Sequence, residues 1–278
     1  MKVAGVDRAD GMIQLLPLLF LLGNPAFVVV AAAANKCFAD RGELLTAVDD
    51  YISQDCPNIN NCTVGQTYGY PINSWCTGNV ADMSELFGGR RSFNEDISGW
   101  DVSAVTNMNG LFFRAYSFNS AISNWNVSSV TDMGLLFMNT NAFNGDLSKW
   151  DVSSVADMSN IFYNAIEFTG GGISGWNVSS VTDMTSMFHG SISFNEDISN
   201  WDISSVADMG GMFNYAESYN QDLCAWGDKF PYDEALRIFD ESGCTYKVNP
   251  RLEQRGPFCA SSCRNQTEVS SFLLICHS

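Results

Sequence analysis

Tryptophan returns along this chain at a nearly constant interval, and this periodicity limits the possible folds more than any other feature. The spacing is 25 residues except for one step of 26, and the series is Trp75, Trp100, Trp125, Trp150, Trp176, Trp201 and Trp226. A fixed period of this size is typical of stacked repeats, in which each unit buries its apolar face against its neighbours. The sequence therefore predicts a solenoid of about six to seven coils.

The longer step can be placed in a glycine-rich stretch. Phe143 lies seven residues before Trp150, whereas Phe168 lies eight residues before Trp176. The additional residue therefore falls within residues 169–172, whose sequence is Thr-Gly-Gly-Gly. Glycine adopts backbone conformations that other residues disfavour, so this stretch is expected to absorb the extra residue.

Other apolar residues keep the register of the tryptophans through residues 72–223. Their columns run from Ile72 to Leu223, Val80 to Val206, Met83 to Met209, Phe87 to Phe213 and Phe93 to Tyr219. Because the columns stay apolar in every unit, we expect them to line the core of the stack together with the tryptophans. The alternative, an exposed tryptophan stripe that serves as a carbohydrate platform, fits this regularity less well.

Within one unit the apolar spacing changes, which predicts two kinds of local structure. The spacing is short around Ile97 and Trp100, as in a brief strand and turn, and becomes three and four over Val105 to Phe112, as in a few helical turns. A serine precedes each helical stretch at a position suited to an N-cap: Ser103, Ser128, Ser153, Ser179 and Ser204. The predicted class is therefore α/β, with short parallel strands and short helical turns in each coil.

Residues 1–34 are expected to form a secretory signal peptide. Lys2 and Arg8 precede an apolar run, and residues 28–34 end in small side chains that suit cleavage. An uncleaved membrane anchor is the alternative, although Pro25 interrupts the apolar segment. The mature chain then has three parts: an N-terminal cysteine cap at 35–71, the repeat solenoid at 72–223 and a C-terminal cysteine cap at 224–278.

The nine cysteines flank the repeats, and none lies between residues 76 and 224. Eight are predicted to form disulfides within the caps, with their pairing left open: Cys37, Cys56, Cys62 and Cys76 before the repeats, and Cys224, Cys244, Cys259 and Cys263 after them. The odd cysteine is expected to be Cys276. Disulfides imply an oxidising compartment, which predicts a secreted or cell-surface protein. Each cap also contains one predicted helix, over residues 43–52 and 231–240.

Composition narrows the function classes. With 31 Asp and Glu against 14 Lys and Arg, the formal net charge is −17, which excludes nucleic acid as a partner because phosphate binding requires clustered basic residues. The histidines are His189 and His277, and the sequence contains no zinc, phosphate-loop or nucleophile motif. The chain is therefore predicted to be non-catalytic and to need no cofactor. The alternative is an extracellular polysaccharide-active enzyme that uses a pair of carboxylates.

Columns of aspartate raise a third possibility, a Ca²⁺-stabilised structural module. They run from Asp82 to Asp208, from Asp96 to Asp222, and through Asp101, Asp151 and Asp202 in alternation with Asn126 and Asn177. Stacked carboxylates can bind Ca²⁺, but Asp and Asn also accept hydrogen bonds from local backbone N–H groups, once per coil. The local role is the prediction, and no metal is assigned. A further column, from Asn94 to Asn220, is expected to bond the backbone of the next coil.

Four N-x-S/T sequons predict glycosylation in a secreted chain: Asn61, Asn126, Asn177 and Asn265. Two of them directly follow a tryptophan of the repeat. Glycosylation at Asn126 and Asn177 would show that the residues directly following the tryptophans are exposed.

The repeat also resembles a known family. The segments FNEDISGWDVSAVTNMNGLF (93–112) and FNEDISNWDISSVADMGGMF (194–213) are similar to the repeat of BspA-like bacterial surface proteins, which is related to leucine-rich repeats. The resemblance covers residues 72–223 and implies a leucine-rich-repeat-like solenoid, with the short strand at the I-S positions. It also implies an extracellular, adhesion-like role without a defined activity. Glycines at 170–172 replace the N-x-D of the other repeats.

These features predict a non-catalytic extracellular or cell-surface repeat protein that binds an extracellular protein or glycan. Because the repeated columns serve the core, a ligand is expected to meet the caps or the positions that vary from coil to coil. The clearest variable column is Gly88, Phe113, Met138, Tyr163, His189 and Asn214.

Overall fold

The computed structural model describes residues 36–58 and 62–263, which belong to one compact unit, residues 35–278. The predicted signal segment and Cys276 lie outside the described residues. Two α-helices are present in the N-terminal cap, α1 over Arg41–Ser53 and α2 over Thr63–Tyr68. The described part of the chain also has five single-turn 3-10 helices: Ile72–Ser74, Ile173–Gly175, Cys224–Trp226, Tyr232–Glu234 and Leu252–Gln254. The remainder of this part is turns and irregular backbone, with isolated bridges but no strand.

Helix α1 contains the segment predicted as helical, residues 43–52. Asp40 begins it, because its carboxylate accepts the N–H of Glu43 at 2.9 Å as an N-cap. The buried face consists of Leu44, Ala47, Val48 and Tyr51. Tyr51 therefore faces the core, whereas the neighbouring Ile52 is 38% exposed.

Successive coils are joined by a ladder of backbone hydrogen bonds. In the first coil, the N–H groups of Met83, Glu85, Phe87 and Gly89 donate to the carbonyls of Asn107, Asn109, Leu111 and Phe113 in the next coil. The pattern recurs from coil to coil at 2.7–3.0 Å and ends on acceptors in residues 234–240. Isolated parallel bridges follow the same register from Asp82 to Asp208. Repeat stacking, the central prediction from the tryptophan period, is therefore present in the structure.

The helical turns predicted over Val105 to Phe112 are wrong. Gly110 and Arg114 have positive φ angles of 62° and 57°, which an α-helix does not tolerate. The N–H groups of Met108 and Phe112 donate to the next coil rather than to a carbonyl four residues earlier. A helix this short is marginal by itself, whereas the ladder satisfies alternate N–H groups along the whole array. The apolar spacing of three and four thus identified the residues that face inward, but it did not predict the backbone conformation.

Three related predictions also fail. No strand forms around Ile97 in the described chain, so the α/β class is not supported; this part is mostly coil with few helices. Ser103 is no N-cap, because its N–H donates to Asp101 Oδ1 at 3.0 Å in a local turn. The same turn recurs at Ser128, Ser153, Ser179 and Ser204. The helix predicted over 231–240 is limited to Tyr232–Glu234, because the residues that follow take part in the ladder.

The core contains a stack of aromatic rings, as the repeated columns predicted. The seven tryptophans are 1–5% exposed, so they form no surface platform. Trp150 Nε1 donates to the Ile122 carbonyl at 3.1 Å, and the same bond to the preceding coil is made by Trp100, Trp125, Trp176 and Trp201. Phenylalanines stack in parallel beside them, with Phe112 and Phe137 ring centroids 5.7 Å apart. Each of these five tryptophans thus contributes buried apolar area and a bond between coils.

The glycine stretch accommodates the extra residue of the 26-residue step. Gly170, Gly171 and Gly172 have φ angles of 140°, 59° and 80°, in a region that only glycine enters readily. The Gly171 carbonyl accepts the N–H of Leu147 at 2.8 Å, a bond to the preceding coil that the N–H groups of Ile97, Ile122 and Ile198 do not make with their neighbouring coils. Stacking contact with the preceding coil is therefore kept across the insertion.

Four disulfides join the eight predicted cysteines, two in each cap. The pairs are Cys37–Cys76, Cys56–Cys62, Cys224–Cys263 and Cys244–Cys259. Several disulfides indicate an extracellular location. Within residues 36–58 and 62–263, no helix is long and apolar enough to cross a membrane. The predicted anchor alternative lies outside these residues.

Candidate functional site

An open groove runs along one side of the array across several coils. It encloses about 510 Å³. Its lining residues are Tyr116, Asn139, Asn141, Asn164, Ile166, Gly190, Ile192 and Tyr215. We refer to this surface as the side groove. It lies between two columns of residues that differ in identity from coil to coil.

The first wall of the side groove is a column in which every residue has a left-handed backbone. Its members are Gly89, Arg114, Asn139, Asn164, Gly190 and Tyr215, with φ between 53° and 71°. Glycine and asparagine enter this region most easily, which explains their frequency here. Each of these residues also donates its N–H to the next coil, so the backbone of this wall is held by the ladder.

Small residues lie between the two walls in each coil, beneath the surface. They are Ala115, Thr140, Ala165, Ser191 and Ala216, and all are fully buried. Thr140 Oγ1 donates to the Phe112 carbonyl at 2.9 Å, and Ser191 Oγ donates to the Phe162 carbonyl. The hydroxyl groups of Thr140 and Ser191 are therefore hydrogen-bonded within the array.

Asparagine amides supply the polar groups of the groove. Asn164 Nδ2 donates to Asn139 Oδ1 at 3.1 Å, which orients both side chains. A Cβ atom on Gly190 would lie 2.0 Å from Asn164 Oδ1, so glycine there gives this amide its room. The Asn141 side chain has no hydrogen bond to any residue of the described chain and is partly exposed. These amides can offer a ligand both donors and acceptors.

The residues that line the middle of the groove are uncharged, and the first wall carries one charged residue, Arg114, whose Cζ lies 4.7 Å from the Phe113 ring centroid. The second wall is the column Arg91, Tyr116, Asn141, Ile166, Ile192 and Glu217, which carries charge only at its two ends. Arg91 lies over the Tyr116 ring, with Cζ 5.4 Å from the ring centroid. The middle of the groove is therefore neutral in a chain whose net charge is −17.

Two aromatic side chains from the predicted variable column border the first wall. Tyr163 and His189 stack with ring centroids 4.4 Å apart and an interplanar angle of 2°. His189 also meets Tyr215, with centroids 5.6 Å apart. Burial lowers the pKa of His189 from its ordinary 6.5. The imidazole is therefore uncharged at neutral pH, which keeps this border of the groove neutral.

The lowered pKa of His189 predicts how stability depends on pH. Above pH 6.5 both folded and unfolded chains hold a neutral imidazole, and the full stability is present. As the pH falls below 6.5, the unfolded chain takes up a proton first, so the free energy of unfolding decreases until folded His189 is protonated as well. We expect denaturation between about pH 7.5 and about pH 5 to show a larger loss in the natural chain than in His189→Phe, which keeps a ring on Tyr163. His277 is present in both, and equal losses would contradict the assignment.

Sequence reasoning found the border of the groove but not its walls. Of the predicted variable positions, Tyr163 and His189 meet, whereas Gly88 and Phe113 belong to the same column at coils nearer the N-terminus. The lining columns follow one and three residues later in each unit. They also vary between coils, and this variation was the available signal.

The aspartate and asparagine columns have the local roles predicted from the sequence. Asp132 Oδ1 accepts the N–H of Gly134 at 2.9 Å, and Asp157 Oδ1 accepts that of Ser159 at 2.7 Å. Asn119 Oδ1 accepts the N–H of Asn144 from the next coil at 2.9 Å. Local hydrogen bonds lower the pKa of several such carboxyl groups, with the Ser103 hydroxyl and N–H acting on Asp101.

Metal binding finds little support in the described part of the chain. The one group of candidate ligands found there is Asp222 with Cys224 and Cys263. The two sulfur atoms are joined to each other in a disulfide, so they are not free thiolates. The aspartate columns do not come together as groups of three.

Two of the predicted glycosylation sites can be placed. Asn126 and Asn177 are exposed, and each Oδ1 accepts the hydroxyl of the serine two residues later at 2.8 Å. Asn61 and Asn265 lie outside the described residues. Glycosylation at all four stays a prediction.

A second cavity of about 360 Å³ lies between α1 and the first coil. Its lining includes Tyr51, Asp55, Arg90 and Glu95. Arg90 forms an ion pair with Asp49 on α1. Two carboxylates therefore line this cavity, which is the feature that the enzyme alternative requires.

Comparison with known proteins identifies a family. No curated protein and no solved structure matches the chain. Residues 57–171 and residues 136–242 each match the family described as "Mycoplasma protein of unknown function, DUF285". The two matches overlap within the repeat array and together span residues 57–242, more than half of the 278 residues. The chain therefore belongs to this DUF285 family.

Proposed function

We propose that this chain is a non-catalytic extracellular or cell-surface repeat protein that binds an extracellular protein or glycan through the side groove, in an adhesion-like role. One observation carries the proposal. The apolar residues that recur in every coil are buried, and two columns whose residues differ between coils line one open groove. A rigid array with a variable, concave surface is suited to recognition.

Two further points support the proposal. The disulfides in both caps favour function outside the cell. The resemblance of the repeat to that of BspA-like surface proteins, and through them to leucine-rich repeats, favours an adhesion-like role. We infer this relation from the segments at 93–112 and 194–213.

The test is a binding screen with residues 35–278, using a glycan array and a panel of immobilised extracellular proteins. Ile192→Arg places a charge in the groove, at a side chain that is 37% exposed. The matched control is Leu252→Arg, at an exposed aliphatic residue in the C-terminal cap. We expect a ligand whose binding falls about tenfold or more with Ile192→Arg and stays unchanged with Leu252→Arg.

Two outcomes would contradict this function. One is a folded natural chain that binds nothing on either panel, or whose binding both variants affect equally. The other is release of reducing sugar from polysaccharides that is lost with Glu95→Gln, which would favour the enzyme alternative at the cavity under α1.

A further inference from the structure

We propose that the ligand of the side groove is an uncharged oligosaccharide, an inference that rests on the binding role proposed above. The groove offers three kinds of group in one place: free amides, aromatic rings and aliphatic side chains. Uncharged sugars carry hydroxyl groups beside apolar C–H faces. This combination matches their chemistry.

The charge of the groove selects against ionic ligands. The lining contains neither a cationic nor an anionic side chain. A sulfated or carboxylated ligand would lose its hydration without gaining a cationic partner, and a cationic ligand would find no carboxylate. The charged wall residues Arg91, Arg114 and Glu217 lie toward the ends of the groove, and the two arginines are placed against the Tyr116 and Phe113 rings. A neutral ligand avoids this desolvation cost.

Part of the backbone of both walls is already bonded within the array, which leaves an extended peptide fewer main-chain partners. Peptides that add to a sheet edge use unpaired main-chain groups. In the first wall the N–H groups of Asn139, Asn164 and Gly190 donate to the next coil at 2.7 Å. In the second wall the carbonyls of Tyr116 and Asn141 accept N–H groups from the next coil at 3.1 Å. The N–H groups of Tyr116 and Asn141 and the carbonyls of Asn139 and Asn164 have no backbone partner in the described chain, so they can add to the side-chain groups that meet sugar hydroxyls.

The amides provide the hydrogen bonds that hydroxyl groups need. Asn164 Nδ2 is committed to Asn139 Oδ1, which leaves Asn139 Nδ2 as a donor and Asn164 Oδ1 as an acceptor. Asn141 has both its donor and its acceptor available toward the groove. A sugar hydroxyl donates and accepts at once, so paired amide groups of both kinds suit it.

The tyrosines mark the two ends of the groove. Tyr116 and Tyr215 lie four coils apart, on the order of 20 Å at the usual spacing between stacked backbone segments. Tyr215 is 50% exposed, so a ring face is open to the apolar face of a sugar. Ile166 and Ile192 add an aliphatic patch between these ends. This length favours a chain of several sugars over a single one.

The ladder makes the groove rigid before any ligand arrives. Both walls are bonded to the coils on either side, so little backbone entropy is lost on binding. Tyrosine and asparagine contribute contact area and adaptable hydrogen bonding at a small entropic cost.

The experiment uses isothermal titration of residues 35–278 with cellohexaose, maltohexaose, mannohexaose and chitohexaose. Heparin hexasaccharide and oligosialic acid serve as the acidic comparison. The groove variants are Asn141→Ala and Tyr215→Ala. The matched controls are Asn124→Ala, on another exposed column, and Tyr246→Ala, on the C-terminal cap. Circular dichroism checks that each variant is folded.

We expect at least one uncharged hexasaccharide to bind, with each groove variant weakening it about tenfold or more and the controls leaving it unchanged. Binding should also be insensitive to salt, since no charge pair forms. Binding of only the acidic sugars, or of no sugar by the folded chain, would overturn the inference. A protein ligand that is lost with Ile192→Arg would overturn it too while leaving the proposed binding role intact. If the folded chain binds neither a sugar nor a protein, both the sugar ligand and the proposed binding role are contradicted.

Discussion

Replacing Trp150 by alanine is expected to lower the free energy of unfolding by about 3–5 kcal/mol, the usual cost of truncating a large buried aromatic residue. Trp150 is 4% exposed and stands between two neighbouring coils of the ring stack. The cavity cannot close easily, because the backbone ladder fixes the distance between coils. Urea denaturation followed by circular dichroism measures the change.

A matched pair of phenylalanine variants isolates the hydrogen bond. Trp150 Nε1 donates to the Ile122 carbonyl, whereas Trp226 Nε1 is buried without an acceptor among the residues described. Both substitutions remove a similar volume, but only Trp150→Phe breaks a bond between coils. We expect it to cost about 1 kcal/mol more than Trp226→Phe. An equal or larger loss for Trp226→Phe would show that the bond contributes nothing.

Replacing Gly171 by alanine is expected to destabilise the array by about 2 kcal/mol or more. Its φ of 59° is strained for alanine, and the new Cβ would lie 2.5 Å from the Gly145 carbonyl oxygen, a backbone atom that cannot move without disturbing the next contact. Gly171 lies between Trp150 and Trp176, which is the only step of 26 residues in the tryptophan series.

Gly175→Ala is the control for this prediction. It lies a few residues further on, and a Cβ there would have no atom within 4 Å. Its effect should stay within about 0.5 kcal/mol. Thermal or chemical denaturation of both variants decides the question, and similar effects would mean that the glycine insertion imposes no special conformation.

Much of the architecture could be read from residue spacing. The tryptophan period placed the coils, the apolar columns identified the buried faces, and one altered step located the glycine insertion. The asparagine column was also correctly interpreted, because Asn119 bonds the backbone of the next coil. These features depend on side chains that repeat in register, and a repeat makes such registers visible.

The local backbone could not be read in the same way. Apolar spacing of three and four over Val105 to Phe112 predicted helical turns, yet Met108 and Phe112 donate their N–H groups to the next coil. The spacing is compatible with either backbone, because both place the same side chains inside. Whether the segment is helical or bonded to the next coil depends on hydrogen-bond partners about 25 residues away.

The candidate site illustrates the same limit. Tyr163 and His189 were singled out because they vary, but their stacking and the neutral groove beside them exist only once the coils are stacked. Asn139 and Asn164 lie 25 residues apart in the sequence and share a hydrogen bond in the structure. Variation between coils indicated the region of the site, but not which columns would form the walls of the groove.

The sequence by itself determined the repeat, its register, the inward-facing columns and the segregation of cysteines to the two ends, because each is a pattern of side-chain identity along one chain. Only the tertiary structure decided the backbone conformation of each coil, the cysteine pairing and the side groove. These depend on which groups meet across neighbouring coils. The free energy that selects among them comes from hydrogen bonds and packing between residues remote in sequence.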